Sequence, residues 1–432
     1  MRNGRVPELQ ARLARPTWLY SASVYLPFHS MKKLLLVLLL TGSALLVHAA
    51  DKIVVTVTHE LDIARPAEVV VVPWSDIVKI FPDALLQHLQ VKDAAGQILA
   101  FQATNITPLD PRGAYGELLF QHDFAAGEKS ATFTIEKIAA VAPPFPSKVF
   151  ARYVPERLDD FAWENDRIAH RIYGPALAAP AEPGSGKEVL VTSGLDVWCK
   201  RVRYLIVDRW YNKGHNHYHV DEGEGLDMYN TGRTRGSGGT GVWDGKQLYV
   251  GRNFKTWKVL ANGPIRAIFE LTYEPWDAGS GVKVAEVKRF TIDAGHNLDQ
   301  MDSTFTVEGG APEITVAIGL NKNSGDRGQD VKATVTANRE NGWFTQWEVE
   351  KTNGSLGEAI VVAPEIMSGF AEDASNQLVL AKAVSGQPLR YYIGAGWTKS
   401  GDFASQDDWN AYVAAAAKRA QSPIKIAKIE AQ

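Results

Sequence analysis

Arg266-Ala267-Ile268-Phe269-Glu270-Leu271-Thr272-Tyr273 decides the fold class. In an extended chain Ala267, Phe269, Leu271 and Tyr273 fall on one face and Arg266, Glu270 and Thr272 on the other, the period-two pattern of a strand with one covered and one wetter side. Strand-like runs also occur at residues 189–191, 202–210, 248–250, 282–293, 301–307, 315–320, 378–383 and 389–395. Together they predict a large antiparallel β super-sandwich over residues 148–432. One helix interrupts this reading: Ser405-Gln406-Asp407-Asp408 has the form of a capping box ahead of residues 409–420.

Upstream, shorter runs at 53–57, 69–72, 89–91, 98–102, 117–120 and 131–135 are separated by turn signals at 108–113 and 125–127. They predict a small immunoglobulin-like sandwich over 50–138. Residues 139–147 contain Pro143, Pro144 and Pro146, which cannot continue a ladder, and are expected to be a linker; 178–186 reads as a surface loop. The expected fold class is thus all-β, with a short C-terminal helix.

Met31-Lys32-Lys33, the apolar run 34–40 and Val47-His48-Ala49 have the order of a secretory signal peptide over 31–49, cut near Ala49. Residues 1–30 then read as an overcalled start, and the expected location is periplasmic or extracellular. Without residues 1–49 the chain keeps 40 basic and 48 acidic residues, about −8. An acidic chain lacking basic runs is a poor fit to nucleic acid, and the apolar run is too short to span a membrane. Cys199 is the single cysteine, which excludes an internal disulfide.

Two glycine motifs fail their structural context. Gly236-Ser237-Gly238-Gly239-Thr240-Gly241 lacks the helix that a dinucleotide site needs and is expected to be a loop; Gly184-Ser185-Gly186-Lys187 lacks the first glycine and the Ser or Thr of a phosphate loop. No organic cofactor is expected.

The chemistry concentrates in two segments. In His215-Asn216-His217-Tyr218-His219-Val220-Asp221 a β conformation would align His215, His217, His219 and Asp221 on one face. His217, His219 and Asp221 would suit a divalent metal, zinc by the imidazoles or calcium if the acids 221–227 dominate; a metal-free sugar-binding surface fits equally. The second segment, Trp163-Glu164-Asn165-Asp166-Arg167 with His170-Arg171-Ile172-Tyr173, combines aromatic faces with paired charges, as a saccharide pocket requires, or forms a salt-bridged turn anchored by Trp163. Trp198, Lys322, Trp397 and Lys399 extend the substrate-binding set.

These strings, with Tyr173-Gly174-Pro175-Ala176-Leu177, the stretch 219–227, Gly263-Pro264-Ile265-Arg266-Ala267 and the stretch from Tyr391-Tyr392 to Phe403, resemble the family labelled domain of unknown function 4861. The resemblance implies a secreted bacterial protein associated with the use of pectin and other uronate polysaccharides, and a large domain similar to the galactose-mutarotase fold. It implies no settled reaction. The expected function is therefore action on uronate-containing oligo- or polysaccharides, as a lyase or a glycoside hydrolase. A lyase would use His219 or Tyr173 as base and Arg167, Arg171 or Lys322 to neutralise the uronate; a hydrolase would draw on Glu164, Asp221, Glu224 and Asp227. A non-catalytic glycan-binding protein and a sugar epimerase are the alternatives.

Overall fold

Alternation on strand Arg266–Asp277 places Ala267, Phe269, Leu271 and Tyr273 in the main core, where Phe269 stacks on its cross-strand partner Phe290 with ring centroids 4.4 Å apart. The computed structural model describes residues 51–106, 115–324 and 331–432. The overcalled start read at 1–30, the signal peptide read at 31–49 and the turn at 108–113 lie outside the described residues.

Strand Arg266–Asp277 belongs to an eight-stranded antiparallel sheet with, among others, Lys283–Asp293, Leu298–Glu308, Pro388–Trp397 and Leu356–Val362. Its inner face packs on two five-stranded sheets, one built on Glu313–Asn321 and Asn376–Val384 and the other on Asp160–Glu164, Ile168–Ile172 and Leu195–Lys200. The result is the large all-β sandwich expected from the alternating runs. The helix spans Gln406–Gln421, with Ser405 Oγ accepting from Asp408 N at 3.2 Å. It turns Trp409, Val413 and Ala417 inward. Gly357 and Gly396 admit the Trp409 indole, since a Cβ at either would lie 2.5 or 2.6 Å from it.

The N-terminal runs form two facing sheets, Arg65–Pro73 with Glu117–Phe124 and Phe101–Thr104 on one side and Lys52–Thr58, Ser130–Lys137, Leu89–Lys92 and Ile98–Leu99 on the other. Their outermost strand is Lys425–Ala431, from the far end of the chain, paired antiparallel with Lys52–Thr58. The last residues of the expected 148–432 domain are therefore part of the small sandwich. Ile424, Ile426 and Ile429 pack against its core, a contribution that their short, irregularly alternating run did not signal. The expected linker is pinned too: Ala142 N donates to Gln87 O at 2.8 Å, and Phe145 packs edge-on against Phe101. Gln102 then ties the small sandwich to the large one, accepting from Ile265 N and Arg266 N and donating to Arg266 O.

Three local expectations are corrected. Residues 202–210 are not a strand: Val207–Lys213 is a helix, because Val207, Trp210 and Tyr211 share a buried face at helical spacing. Residues 189–191 form no strand. The glycine motif at 236–241 is not a loop, for Ser237–Trp243 is a buried strand paired with Glu313–Asn321. Its glycines permit close approach; a Cβ on Gly238 would sit 2.5 Å from Ile393.

A fragment of residues 51–147 expressed alone should fail to give a folded β circular-dichroism spectrum, since its Lys52–Thr58 edge loses its neighbour. Fusing residues 424–432 to it through a flexible linker should restore a cooperative thermal transition.

Candidate functional site

Strands Asp160–Glu164, Ile168–Ile172 and Leu195–Lys200 are central in their sheet, and period two divides their residues between two very different surfaces. Phe161, Trp163, Ile172 and Leu195 point into the main core. The other face carries Asp160, Glu164, Arg171, Asp196, Trp198 and Lys200, all buried. Charges here are tolerated because they are paired. Lys200 Nζ lies 2.6 Å from Glu164 Oε2, and Arg171 stands directly across from Asp196 in the register.

Arg171 is the hub. Its Nη2 donates to Asp196 Oδ2 at 2.5 Å and Asp227 Oδ2 at 3.1 Å, Nε donates to Asp196 Oδ2 at 2.9 Å, and Nη1 donates to the Tyr218 hydroxyl at 3.1 Å. The guanidinium also lies over the rings of Tyr173, Trp198 and Tyr218, between 5.1 and 5.7 Å from their centroids. Burial opposes its charge, but Asp196, Tyr173 and Asp227 hold it protonated well above the ordinary arginine value. Burial, reinforced by the charge of Asp196, pushes the Asp227 carboxyl well up. Burial lifts Asp160 to about 7 against the pull of Arg171 and Arg157.

A segment from helix Val207–Lys213 to residue 225 covers this face. Glu164 starts the helix from another strand, accepting from Ile206 N at 2.8 Å and Val207 N at 2.7 Å. Gly214, at φ 93, ends it, and turns follow through residue 219. Tyr218 is driven inward against Trp198 and Arg171, leaving His215 and His219 side by side above it, ring centroids 5.1 Å apart. His219 Nδ1 lies 2.9 Å from the Asp227 carbonyl oxygen, which can only accept, so Nδ1 carries the proton and Nε2 keeps a free lone pair. His215 Nδ1 is 2.7 Å from the Tyr218 hydroxyl, whose oxygen already accepts from Arg171. The other partners of that hydroxyl, Arg171 and Arg157, can only donate, so its hydrogen goes to His215 Nδ1, and His215 carries its proton on Nε2. Burial, then the charge of Arg157, lowers the His215 pKa and keeps it neutral. Arg157 lies next to this pair, with Nη2 on Glu188 at 3.0 Å and Nε buried.

Of the expected site residues, this arrangement unites His219, Arg171 and Tyr173. Tyr173 is sealed inside, its hydroxyl 3.3 Å from Asp196, so it positions Arg171 and does not meet solvent. The period-two alignment of His215, His217, His219 and Asp221 does not form, because the segment turns to bury Tyr218. His217 points outward near Glu222, and Asp221 binds Arg201 at 2.6 Å, so the expected zinc or calcium set of His217, His219 and Asp221 is not assembled. Among the described residues no three His, Cys, Asp or Glu side chains are grouped as a metal ion needs.

Trp163 and Trp198 are fully buried and cannot stack on a sugar; Trp163 Nε1 donates to Asp299 in the core. Glu164 serves as a helix cap and ion-pair partner. Arg167 pairs with Asp402, Lys322 with Glu372, and Lys399 Nζ with the Thr352 carbonyl. Trp397 is buried, with Arg201 over its ring. Sequence reasoning missed Asp160, Asp196 and Arg157; only the strand alternation of 195–200 could have flagged Asp196 beside Trp198.

Residues 57–426 match the family described as domain of unknown function (DUF4861), and the chain belongs to that family. A relative from Formosa agariphila named uncharacterized protein P7 is 30% identical over 384 residues, covering 86% of this chain and 92% of that protein. Among solved structures, an alpha-mannosidase from Enterococcus faecalis overlaps 88% of this chain at 9% identity with a TM-score of 0.43. A glycosyl hydrolase family 38 protein from the same organism overlaps 89% at 10% identity with a TM-score of 0.42. The chain spans about half the length of these two structures, 46% and 48%.

Two outcomes follow from the buried charges. Arg171→Met should destabilise the protein by about 3–5 kcal/mol in denaturant unfolding, because it leaves Asp196 and Asp227 buried without a cation. Asp299 is held at about 7 by burial, above its ordinary 3.8, so the native state keeps a proton that the unfolded chain has released. Stability at this group falls as pH rises between those values, and Asp299→Asn should flatten the decline in thermal unfolding temperature across that window.

Proposed function

We propose that this DUF4861 protein is a carbohydrate-active enzyme that cleaves uronate-containing saccharides by β-elimination, outside the cytoplasm, as the leader read at 31–49 favours. The supporting observation is the neighbouring His219 and His215 imidazoles with opposite proton assignments, one offering a lone pair and the other an N–H. In the reaction His219 Nε2 takes the proton from the carbon next to the uronate carboxylate. The electron pair forms the carbon–carbon double bond as the bond to the glycosidic oxygen breaks; His215 passes its Nε2 proton to that oxygen as the Tyr218 hydroxyl proton moves to His215 Nδ1, leaving a phenolate beside Arg171. Arg157, held by Glu188 and lying beside Tyr218, supplies the positive charge that a substrate carboxylate needs at this site. Both imidazoles act from one side, which corresponds to a syn elimination.

The hydrolase alternative has less support. Its two carboxylates would have to flank the scissile bond, yet Asp196 and Asp227 are sealed beneath Arg171, and Asp221, Glu222 and Glu224 are each tied to Arg201, Lys213 or Arg209.

Incubation with a panel of pectic and other uronate oligosaccharides should release products with the ultraviolet absorbance of an unsaturated uronate. His219→Ala should slow that release by about 10²–10⁴-fold while the thermal unfolding temperature stays near that of the parent. Saturated products with a new reducing end would favour the hydrolase, and binding without products the glycan-binding reading.

A further inference from the structure

The cavity of about 440 Å³ lies apart from these imidazoles, between strand Arg65–Pro73 of the small sandwich, the outer face of the eight-stranded sheet and helix Gln406–Gln421. Its size is that of a small-ligand site, and its walls mix apolar and polar groups. Val71, Leu298, Val361 and Ile426 supply apolar surface; Gln300 and Tyr392 supply an amide and a hydroxyl, 3.3 Å from each other.

The charges on its wall do not cancel. Glu68 is gripped by Arg65 through two hydrogen bonds of 2.9 and 3.1 Å, and Asp293 by Arg266 through two of 2.6 and 2.7 Å. Arg390 is held by Asp302. Arg419 remains. It is 8% exposed, it lines the cavity, and its hydrogen bond from Nη1 to the Pro66 carbonyl is a long one, 3.4 Å. Among the described residues no carboxylate pairs with it. His296 adds no compensating anion: it donates through Nε2 to the Ala67 carbonyl, and burial followed by the charge of Arg419 lowers its pKa. A guanidinium at the last turn of a helix gains from the helix dipole, but that gain is available at the surface and does not account for burying it beside a cavity.

We propose that this cavity binds a small organic anion of monosaccharide size, a hexuronic acid in class, with its carboxylate on Arg419, its hydroxyls on Gln300 and Tyr392 and its C–H face against the valine and leucine wall. The preference for an anion comes from the unpaired guanidinium; the choice of a sugar acid rests on the proposed function. The site would serve to hold a product or effector at the junction of the two sandwiches, away from the imidazole pair.

The test is titration calorimetry of the full chain with sodium D-glucuronate, D-glucose and sodium sulfate, each also followed by thermal unfolding. Glucuronate should bind saturably and raise the unfolding temperature, and glucose should not. Arg419→Gln should weaken glucuronate binding on the order of tenfold or more. Ala416→Phe, which fills the cavity from the helix and keeps every charge, should abolish it; this variant also decides the matter if Arg419→Gln does not fold. His219→Ala should leave glucuronate binding unchanged, even where it removes cleavage. Absence of glucuronate binding to the parent protein, or unchanged binding in both cavity variants, would overturn the proposal. Binding lost in His219→Ala would place the ligand at the imidazoles and overturn it equally. Sulfate binding as tightly as glucuronate, and lost in Arg419→Gln, would overturn the sugar-acid assignment. Failure of the cleavage assay alone would touch only the proposed reaction.

Discussion

Burying a guanidinium is costly unless every one of its directions is answered, and the environment of Arg171 is organised around that requirement. Asp196 answers it from the adjacent strand, Asp227 from beyond the covering segment, and the rings of Tyr173, Trp198 and Tyr218 enclose its flat faces. The covering segment is positioned as a consequence. Tyr218 must reach Arg171, so residues 214–219 turn inward instead of running straight, and that turn sets His215 beside His219. The proton assignments of both imidazoles trace back to the same hub, through the Tyr218 hydroxyl in one case and the backbone of Asp227 in the other.

The surrounding polar interior has a second character. Asp299 and His170 are buried with Nε2 of the histidine 3.7 Å from the carboxylate, and burial raises the first to about 7 while lowering the second to about 4. Such a pair is close to neutral on both sides, in contrast with the Arg171–Asp196 ion pair. His170 and Arg171 are neighbours on opposite faces of one strand, with Asp299 reaching His170 from strand Leu298–Glu308, so that strand separates a neutral core pair from a charged face. At the other junction Gln102 and strand Lys425–Ala431 join the small sandwich to the large one, so the cavity containing Arg419 is enclosed by parts of the chain far apart in sequence.

Much of this was legible beforehand. The alternation in 266–273 and its sister runs determined an antiparallel sandwich, because period two is a local property of an extended chain. Ser405 and the acids behind it determined the helix for the same reason, since capping is settled within one turn. The segments around His219 and Arg171 stood out as chemical, and the family strings in them were real. Local pattern misled where tertiary packing overrode it. The glycines within 236–241 sit in a strand because distant parts of this chain, such as Ile393 against Gly238, pack too close for a side chain, and residues 207–213 are helical because Glu164, forty-odd positions earlier in the chain, caps them.

The sequence by itself therefore determined the all-β class, the C-terminal helix, the lack of an internal disulfide and the two segments dense in aromatic and ionisable residues, all of which depend on residue type and short-range periodicity. Tertiary structure alone decided which of those residues meet. It placed Trp163 and Trp198 in the interior, released Asp221 to Arg201, brought Asp196 to Arg171 and Arg157 to His215, and carried the C-terminal strand back to the N-terminal sandwich. The physical reason is the same in each case: buried charges and unpaired strand edges must find partners, and those partners are fixed by distance in space, which spacing along the chain does not encode.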